Sequence, residues 1–210
     1  MKKVTTTLKT SLSLAIVMTL ATLCTPGFTQ AQQTASPPNA NAVTTAAPAT
    51  AQQIMATAKA RAQAENKNIM IIFHASWCGW CKKMDASMQD PSCKDFFDKN
   101  YVIEHLTVME QGAKVALDNP GAQQMLEEYG GGESGIPYWL IFSKDGKLLA
   151  DSKFHSDDPN NQANGQNMGC PAEENEVNYF ISVLKKTATM SDKEAAAVKA
   201  RFLKNKPGKS

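Results

Sequence analysis

The sequence has no apolar run long enough to cross a lipid bilayer. Its most apolar segment, residues 12–24, is roughly 13 residues long, whereas a membrane-spanning helix needs ~20. Lys2 and Lys3 precede this segment, and a short stretch that ends in Ala31 follows it. Charged, apolar and small residues in this order are typical of a cleaved export signal. We therefore expect a signal peptide at residues 1–31 and a periplasmic or secreted protein.

A strong charge of either sign is also absent. The 22 Lys and Arg residues nearly balance the 20 Asp and Glu residues, which gives a formal net charge of +2. Loss of residues 1–31 removes three lysines and no acidic residue, so the balance moves from +2 to about −1. No basic stretch alternates with aromatic residues, which argues against nucleic acid as a partner.

Large apolar residues are almost absent from residues 32–51, which are mainly Ala, Thr, Pro, Gln and Asn. Such a segment cannot bury enough surface to offset the entropy lost on ordering, so we expect a disordered linker. Residues 52–190 carry the periodic apolar patterns of one folded domain. Residues 191–210 predict a C-terminal helical extension, because Ser191 and Glu194 form a capping box that opens a helix.

The order of predicted elements in the domain indicates an α/β fold. A strand that is followed by a helix and a second strand forms a parallel pair, and a hairpin adds antiparallel strands. We therefore predict a central mixed sheet flanked by helices. In chain order the predicted elements are a helix over 52–65, a strand over 69–73, a helix after the cysteine pair, a strand over 101–108, a helix over 120–129, a hairpin over 138–150 and a helix around 177–184.

Two cysteines separated by two residues follow the first predicted strand. Cys78 would lie where the next helix begins, and Cys81 would lie one turn further. Unpaired N–H groups and the helix dipole stabilise a thiolate at a helix N-terminus. We therefore predict that Cys78 attacks a disulfide and that Cys81 resolves the resulting mixed disulfide.

Two other uses of such a pair are a zinc site and an inert structural bridge. The sequence has no second Cys-x-x-Cys motif and no His-x-x-x-His, so it offers little support for zinc. The polar segment 154–170 lacks the spaced acidic residues of a calcium loop. We expect no metal and no organic cofactor.

Two segments resemble functional motifs of the thioredoxin superfamily. Residues 73–82, which read FHASWCGWCK, are similar to its active-site segment, and residues 134–137, which read SGIP before an apolar strand, are similar to its cis-proline loop. The resemblance covers roughly residues 69–186 and is nearest to exported thioredoxin-like and disulfide-interchange domains. It implies a thioredoxin-like fold, a protein-disulfide oxidoreductase, and a role for Ile136 and Pro137 in positioning the substrate backbone.

The resemblance leaves the direction of electron transfer open. Thioredoxins carry a buried acid where this sequence has Ile72, and the dipeptide between the cysteines is Gly-Trp. Ile136 favours a reductase, whereas an oxidising compartment favours the opposite direction. The implied partners are protein disulfide substrates and a membrane-embedded disulfide-interchange electron donor. The alternatives are a dedicated redox partner in a cytochrome or protein maturation pathway, and a noncatalytic binding module.

Four residues near the motif allow a functional and a structural interpretation. His74 and Lys82 can tune the acidity of the Cys78 thiol, or they can be packed or solvated. Trp77 and Trp80 flank the dithiol and predict an apolar surface that positions substrates, although Trp77 can also pack on the sheet.

Two further cysteines remain after loss of the predicted signal. Cys93 and Cys170 can form a structural disulfide in an exported protein, which would stabilise it by roughly 3–5 kcal/mol. Two free thiols and a second redox relay are the alternatives.

Overall fold

The central strand of the sheet, β1 (Asn68–His74), is apolar at its five inner positions. Residues 69–73 are fully buried because helices cover both faces of the sheet, as the continuous apolar run predicts. The structure, a computed structural model, describes residues 47–158 and 160–207. The predicted signal peptide and residues 32–46 of the predicted linker lie outside the described residues.

The helices and strands follow the predicted order closely. The elements are α1 (Ala51–Glu65), β1, α2 (Gly79–Met88), α3 (Lys94–Asn100), β2 (Tyr101–Thr107), α4 (Ala122–Glu128), β3 (Tyr138–Phe142), β4 (Leu148–Asp151), α5 (Glu174–Thr187) and α6 (Asp192–Phe202). Short 3-10 helices occupy Gly112–Leu117 and Leu203–Asn205. None of the helices in residues 47–158 and 160–207 is long and apolar enough to cross a membrane.

The four strands form one mixed sheet in the order β2-β1-β3-β4. Strand β1 pairs with β2 in parallel and with β3 antiparallel, and β3 pairs antiparallel with β4. This pairing confirms the predicted mixed sheet. It also brings the end of β1, which leads into the cysteine motif, beside the start of β3, where Phe73 is paired with Tyr138.

The two faces of β1 belong to different apolar clusters because its side chains alternate in direction. One cluster joins Ile69, Ile71 and Phe73 to side chains of α1 and α4. The other joins Met70 and Ile72 to apolar side chains of α2, α3, α5 and α6. Helix α2, which carries Cys81, therefore shares one apolar cluster with the sheet and the C-terminal helices.

Helix α6 packs into the second cluster through Val198 and Phe202, which are both fully buried. Its N-cap is Ser191, and Ser191 and Glu194 form the predicted capping box. After α6 the chain turns back toward α2, where the buried Asn205 exchanges hydrogen bonds with Ser87 at 2.8 and 3.2 Å. The C-terminal residues thus share the core of the domain.

Two segments differ from the pattern-based expectation. Residues 109–119, whose polar sequence is ambiguous, contain the 3-10 helix Gly112–Leu117. Helix α4 begins at Ala122 rather than near residue 120, because Gly121 precedes it with a φ of +81°. Glycine readily adopts this left-handed backbone conformation, and a residue in it does not continue a right-handed helix.

Candidate functional site

The two motif cysteines form a disulfide at the start of α2. The Sγ atoms of Cys78 and Cys81 are 2.08 Å apart. Cys78 is the N-cap residue of α2, and its extended backbone lets its sulfur lie over the first turn of the helix. The fold therefore places the first sulfur where unpaired helix N–H groups point.

One of these N–H groups contacts the first sulfur directly. The backbone N–H of Cys81 donates to Cys78 Sγ across 3.1 Å. Both cysteines are buried, with 3% and 2% of their surfaces exposed, so burial does not distinguish them in the oxidised form. Their positions in the helix distinguish them, because Cys78 caps the helix and Cys81 lies inside its first turn.

A cis-proline loop lies opposite the disulfide. The peptide bond between Ile136 and Pro137 is cis. The carbonyl oxygen of Ile136 is 3.6 Å from Cys78 Sγ, and the Ile136 side chain packs with Ala75 against the two cysteines. Two segments that are far apart in sequence therefore meet at the sulfur atoms.

A comparison with protein families supports the resemblance of these two segments to thioredoxin-like motifs. Residues 50–144 match the family model described as thioredoxin-like. This match spans α1 to β3 and includes both the dithiol and the cis-proline loop. The match supports a thioredoxin-superfamily domain over these residues. The Cys78–Cys81 disulfide in this domain fits thiol–disulfide exchange.

Solved structures show partial similarity to this chain. A protein described as DsbH oxidoreductase is 22% identical over 71% of this chain and 95% of its own, with a TM-score of 0.39. The oxidised C-terminal domain of DsbD from Neisseria meningitidis is 24% identical over 50% and 84%, with a TM-score of 0.36. The disulphide isomerase from Xylella fastidiosa Temecula1 is 20% identical over 46% and 69%, with a TM-score of 0.38. No curated protein matches the sequence significantly.

The two tryptophans of the motif are exposed beside the dithiol of the thioredoxin-like domain. Trp77 is 50% exposed and Trp80 is 39% exposed. The indole N–H of Trp77 donates to the carbonyl of Met109 across 2.8 Å, which fixes the ring although it faces solvent. The ammonium group of Lys83 lies 4.3 Å from the Trp80 ring centroid, within range of a cation–π contact.

His74 and Lys82 lie close to the motif in sequence, but their surroundings differ. Lys82 is exposed on α2. His74 is half-buried at the end of β1, with Nε2 3.3 Å from Thr107 Oγ1 and its ring 4.8 Å from the His105 ring. Burial, followed by the charge of His105, lowers the pKa of His74. An effect of either residue on the acidity of Cys78 stays a prediction.

Sequence reasoning missed Glu110, a buried carboxylate that holds the loop before the dithiol. Its two oxygens accept from the backbone N–H of Ser76 across 2.5 Å and from the Ser76 hydroxyl across 2.8 Å. The backbone hydrogen bond is the main cause that holds the pKa of Glu110 below its usual value. Its segment has no periodic pattern, and only the fold shows that it lies against Ser76.

A groove next to the dithiol is lined in part by the segment between β4 and α5, whose sequence predicts only a polar loop. Its walls include Trp80, Ile136, Pro137, Asn167, Gly169 and Glu176. The loop between β4 and α5 therefore forms one side of the groove, and the cis-proline loop forms another. An excess of Asn and Gly in that loop is the only sequence signal for this placement, and it does not distinguish a wall from a solvated turn.

Of the alternatives for Cys93 and Cys170, the structure has two free thiols and not the structural disulfide. Both residues are free, buried thiols. Cys93 Sγ is 3.7 Å from the carbonyl of Ala197, whereas Cys170 Sγ accepts from the amide of Asn205 across 3.4 Å. The two sulfurs thus have separate partners, so the pairing that the even cysteine count suggested is replaced by two packed thiols.

Across residues 47–158 and 160–207, no cluster of three or more His, Cys, Asp and Glu side chains is placed to hold a metal ion.

Proposed function

We propose that this chain is an exported thiol–disulfide oxidoreductase that acts on disulfides of other proteins. The observation that carries the proposal is the Cys78–Cys81 disulfide at the start of α2, with the carbonyl of Ile136 beside the first sulfur. A reactive pair at a helix N-terminus and a backbone segment ready to receive a substrate are the two elements that this chemistry needs.

The reaction begins from the reduced pair. The Cys78 thiolate attacks one sulfur of a substrate disulfide, the substrate S–S bond breaks, and a mixed disulfide forms while the other substrate sulfur leaves as a thiolate. The Cys81 thiolate then attacks Cys78 Sγ and breaks the mixed disulfide. The substrate gains two electrons and two protons in total, and the Cys78–Cys81 disulfide is formed again. The same steps in reverse oxidise a substrate dithiol.

The start of α2 supports Cys78 as the attacking sulfur. The N–H of Cys81 already points at Cys78 Sγ in the oxidised form. The same N–H and the helix dipole would stabilise a negative charge on that sulfur after reduction. We therefore expect the pKa of the Cys78 thiol in the reduced protein to lie below its ordinary value.

The surroundings of the disulfide support a protein substrate. An extended chain that lies along Ile136 and Pro137 would pass beside Cys78 Sγ, because the Ile136 carbonyl is already in contact with that sulfur. Trp77 and Trp80 add exposed aromatic surface within the motif, and Trp80 lines the same groove as Ile136 and Pro137. Apolar surface of this kind suits unfolded or partly folded partner chains.

The finer assignments rest on sequence. Residues 1–31 have the pattern of an export signal, which supports a periplasmic or secreted location. Ile136 favours reduction of substrates, and a reductase outside the cytoplasm would need electrons from a membrane-embedded disulfide-interchange protein. The buried Ile72 stands where thioredoxins carry an acid, so we expect slow proton removal from Cys81.

An insulin-reduction assay with dithiothreitol tests the proposal. We expect the Cys78→Ser variant to lose nearly all of the wild-type activity, because no attacking thiolate remains. The Cys93→Ala variant, which also lacks one thiol but keeps the pair at α2, serves as the control and should retain activity. Equal rates for wild type and Cys78→Ser would rule out catalysis by this pair.

Trapping experiments identify the substrates. In a Cys81→Ala variant the mixed disulfide cannot be resolved, so protein partners should accumulate on Cys78 and be released by reductant. The double variant Cys78→Ser, Cys81→Ala gives the background. If the single variant captures no more protein than the double variant, exchange with protein substrates is not supported.

A further inference from the structure

Asn167 connects the loop after β4 to the cis-proline loop. It lies near the end of the segment between β4 and α5, and it forms an isolated antiparallel bridge with Lys153. Its side chain is half-buried and lines the groove beside the dithiol. The residue is 30 positions away from Pro137 in sequence, so only the return of this loop brings the two together.

The side-chain amide of Asn167 binds three carbonyl groups of one short segment. Its Nδ2 is 3.0 Å from the carbonyl oxygens of Ser134 and Gly135 and 3.1 Å from that of Pro137. An amide nitrogen has two hydrogens, so the three acceptors share them. These contacts lie on both sides of the cis peptide bond and hold the segment at several points.

The orientation of this amide is set by its oxygen. Asn167 Oδ1 accepts from the hydroxyl of the fully buried Ser152 across 2.7 Å and from the backbone N–H of Gly169 across 3.0 Å. Two donors on the oxygen side require the nitrogen to face the three carbonyls. Both polar ends of the amide are therefore satisfied, and the side chain has little freedom to rotate.

The backbone around Asn167 is itself anchored. The indole N–H of Trp139 donates to the carbonyl of Gly169 across 3.0 Å, and Trp139 is fully buried in β3. Gly169 has a φ of +58°, and a Cβ atom there would lie 3.5 Å from the carbonyl oxygen of Pro137. The loop thus packs directly against the cis-proline, and strand β3 supports it through Trp139.

We propose that Asn167 is a positioning residue that holds residues 134–137 in the conformation that receives substrate beside Cys78. This inference rests on the proposed function, because the positioned segment is the one expected to bind the substrate backbone. The side-chain hydrogen bonds of Asn167 go to residues 134–137, Ser152 and Gly169 and not to the sulfur atoms. Asn167 acts through Ile136, whose carbonyl lies 3.6 Å from Cys78 Sγ.

The Asn167→Asp variant tests the role with almost no change of side-chain shape. Aspartate keeps an oxygen that can accept from Ser152 and Gly169, but it cannot donate to the three carbonyls and places negative charge against them. We expect the KM for insulin to rise about tenfold, with kcat changed less than about twofold, because loss of these hydrogen bonds weakens substrate positioning rather than the chemistry of the dithiol.

Asn164→Asp is the matched control. Asn164 lies in the same loop and is exposed, and its Oδ1 accepts from the N–H of Ser156 across 3.2 Å. Aspartate can keep that hydrogen bond, so this variant adds the same charge without removing a donor to the cis-proline loop. We expect its KM and kcat to match those of wild type.

Amide hydrogen exchange gives a second measurement that does not depend on activity. A peptide that covers residues 133–138 should exchange faster in oxidised Asn167→Asp than in wild type or Asn164→Asp. Peptides from β1 and α5 should exchange at the same rate in all three proteins, which separates local loosening from general unfolding. Ser152→Ala, which removes one of the two donors to Oδ1, should produce a smaller change in the same direction.

These results separate the inference from the proposed function. Unchanged exchange in Asn167→Asp would overturn the inference whatever the activity. Faster exchange without a rise in KM would overturn its role in substrate positioning. An inactive wild-type protein would remove the proposed function, and the positioning role with it, whereas the exchange rates would still decide whether Asn167 holds the loop.

Discussion

Glu110 accepts two hydrogen bonds from Ser76, one from the backbone N–H and one from the hydroxyl. Ser76 lies two residues before Cys78, so this carboxylate fixes the chain as it enters the dithiol. Lys114 donates to the same Ser76 hydroxyl across 3.0 Å. The segment between β2 and α4 thus holds the loop that leads into the Cys78–Cys81 pair.

This carboxylate should make stability depend on pH. Because the folded pKa of Glu110 is lower than its ordinary value of 4.5, its contribution is present above about pH 4.5 and is lost as the pH falls through the folded pKa. We expect Glu110→Gln to be less stable than wild type at pH 7 in urea unfolding, with a smaller difference at pH 3. The exposed Glu133→Gln serves as a control. An equal loss at both pH values would show that the charge is not the cause.

The cysteines should differ in reactivity toward iodoacetamide in the reduced, folded protein. Burial raises the pKa of the Cys93 thiol, and it raises that of Cys170 to about 12. Because the thiolate is the reactive form, we expect Cys78 to be alkylated at least roughly ten times faster than Cys93 or Cys170 at pH 7. Mass spectrometry of peptides after timed quenching measures the order.

The same reagent tests the two free thiols. In the oxidised protein unfolded in urea without reductant, Cys93 and Cys170 should both be alkylated, while Cys78 and Cys81 stay protected by their disulfide. Protection of Cys93 and Cys170 together would mean that they are paired in solution.

Helix α6 should contribute to the stability of the whole domain. Phe202 is fully buried against Phe97 and Phe180, with ring centroids 6.4 and 5.1 Å away. Phe202→Ala should lower the free energy of unfolding by about 3–5 kcal/mol, because it leaves a cavity in the core. Lys193→Ala, at an exposed position of the same helix, should change it by less than about 0.5 kcal/mol. Denaturant unfolding measures both, and similar small losses would show that α6 is dispensable.

Replacement of glycine by alanine should change the stability of the protein in opposite directions at two positions. At Gly131 an added Cβ would lie 2.3 Å from Leu126 Cδ1 and 3.0 Å from the Tyr138 ring. We therefore expect Gly131→Ala to lower the free energy of unfolding by about 1–3 kcal/mol. At Gly79, the first residue of α2, nothing lies within 4 Å of such an atom, and alanine favours helices. Thermal unfolding of the two variants tests this contrast. A stable Gly131→Ala protein would show that the close packing before the cis-proline loop is absent.

The order of helices and strands and the cysteine pair at the start of α2 can be predicted from local patterns of residues. The unbroken apolar run of β1 predicts a strand covered on both faces, and the residues that follow it predict the pair Cys78 and Cys81 at the start of a helix. The Ser191 capping box opens α6 as predicted. These features depend on neighbours in the chain, so local patterns are sufficient to predict them.

Which distant residues surround the dithiol depends on how the chain folds in three dimensions. Glu110 and Asn167 lie in segments without periodic patterns, and their roles depend on carbonyl and N–H groups that other parts of the chain supply. Likewise, an even number of cysteines could not show that Cys93 and Cys170 have separate partners. A polar side chain satisfies whichever backbone group the fold brings within about 3 Å, and sequence spacing does not encode that distance.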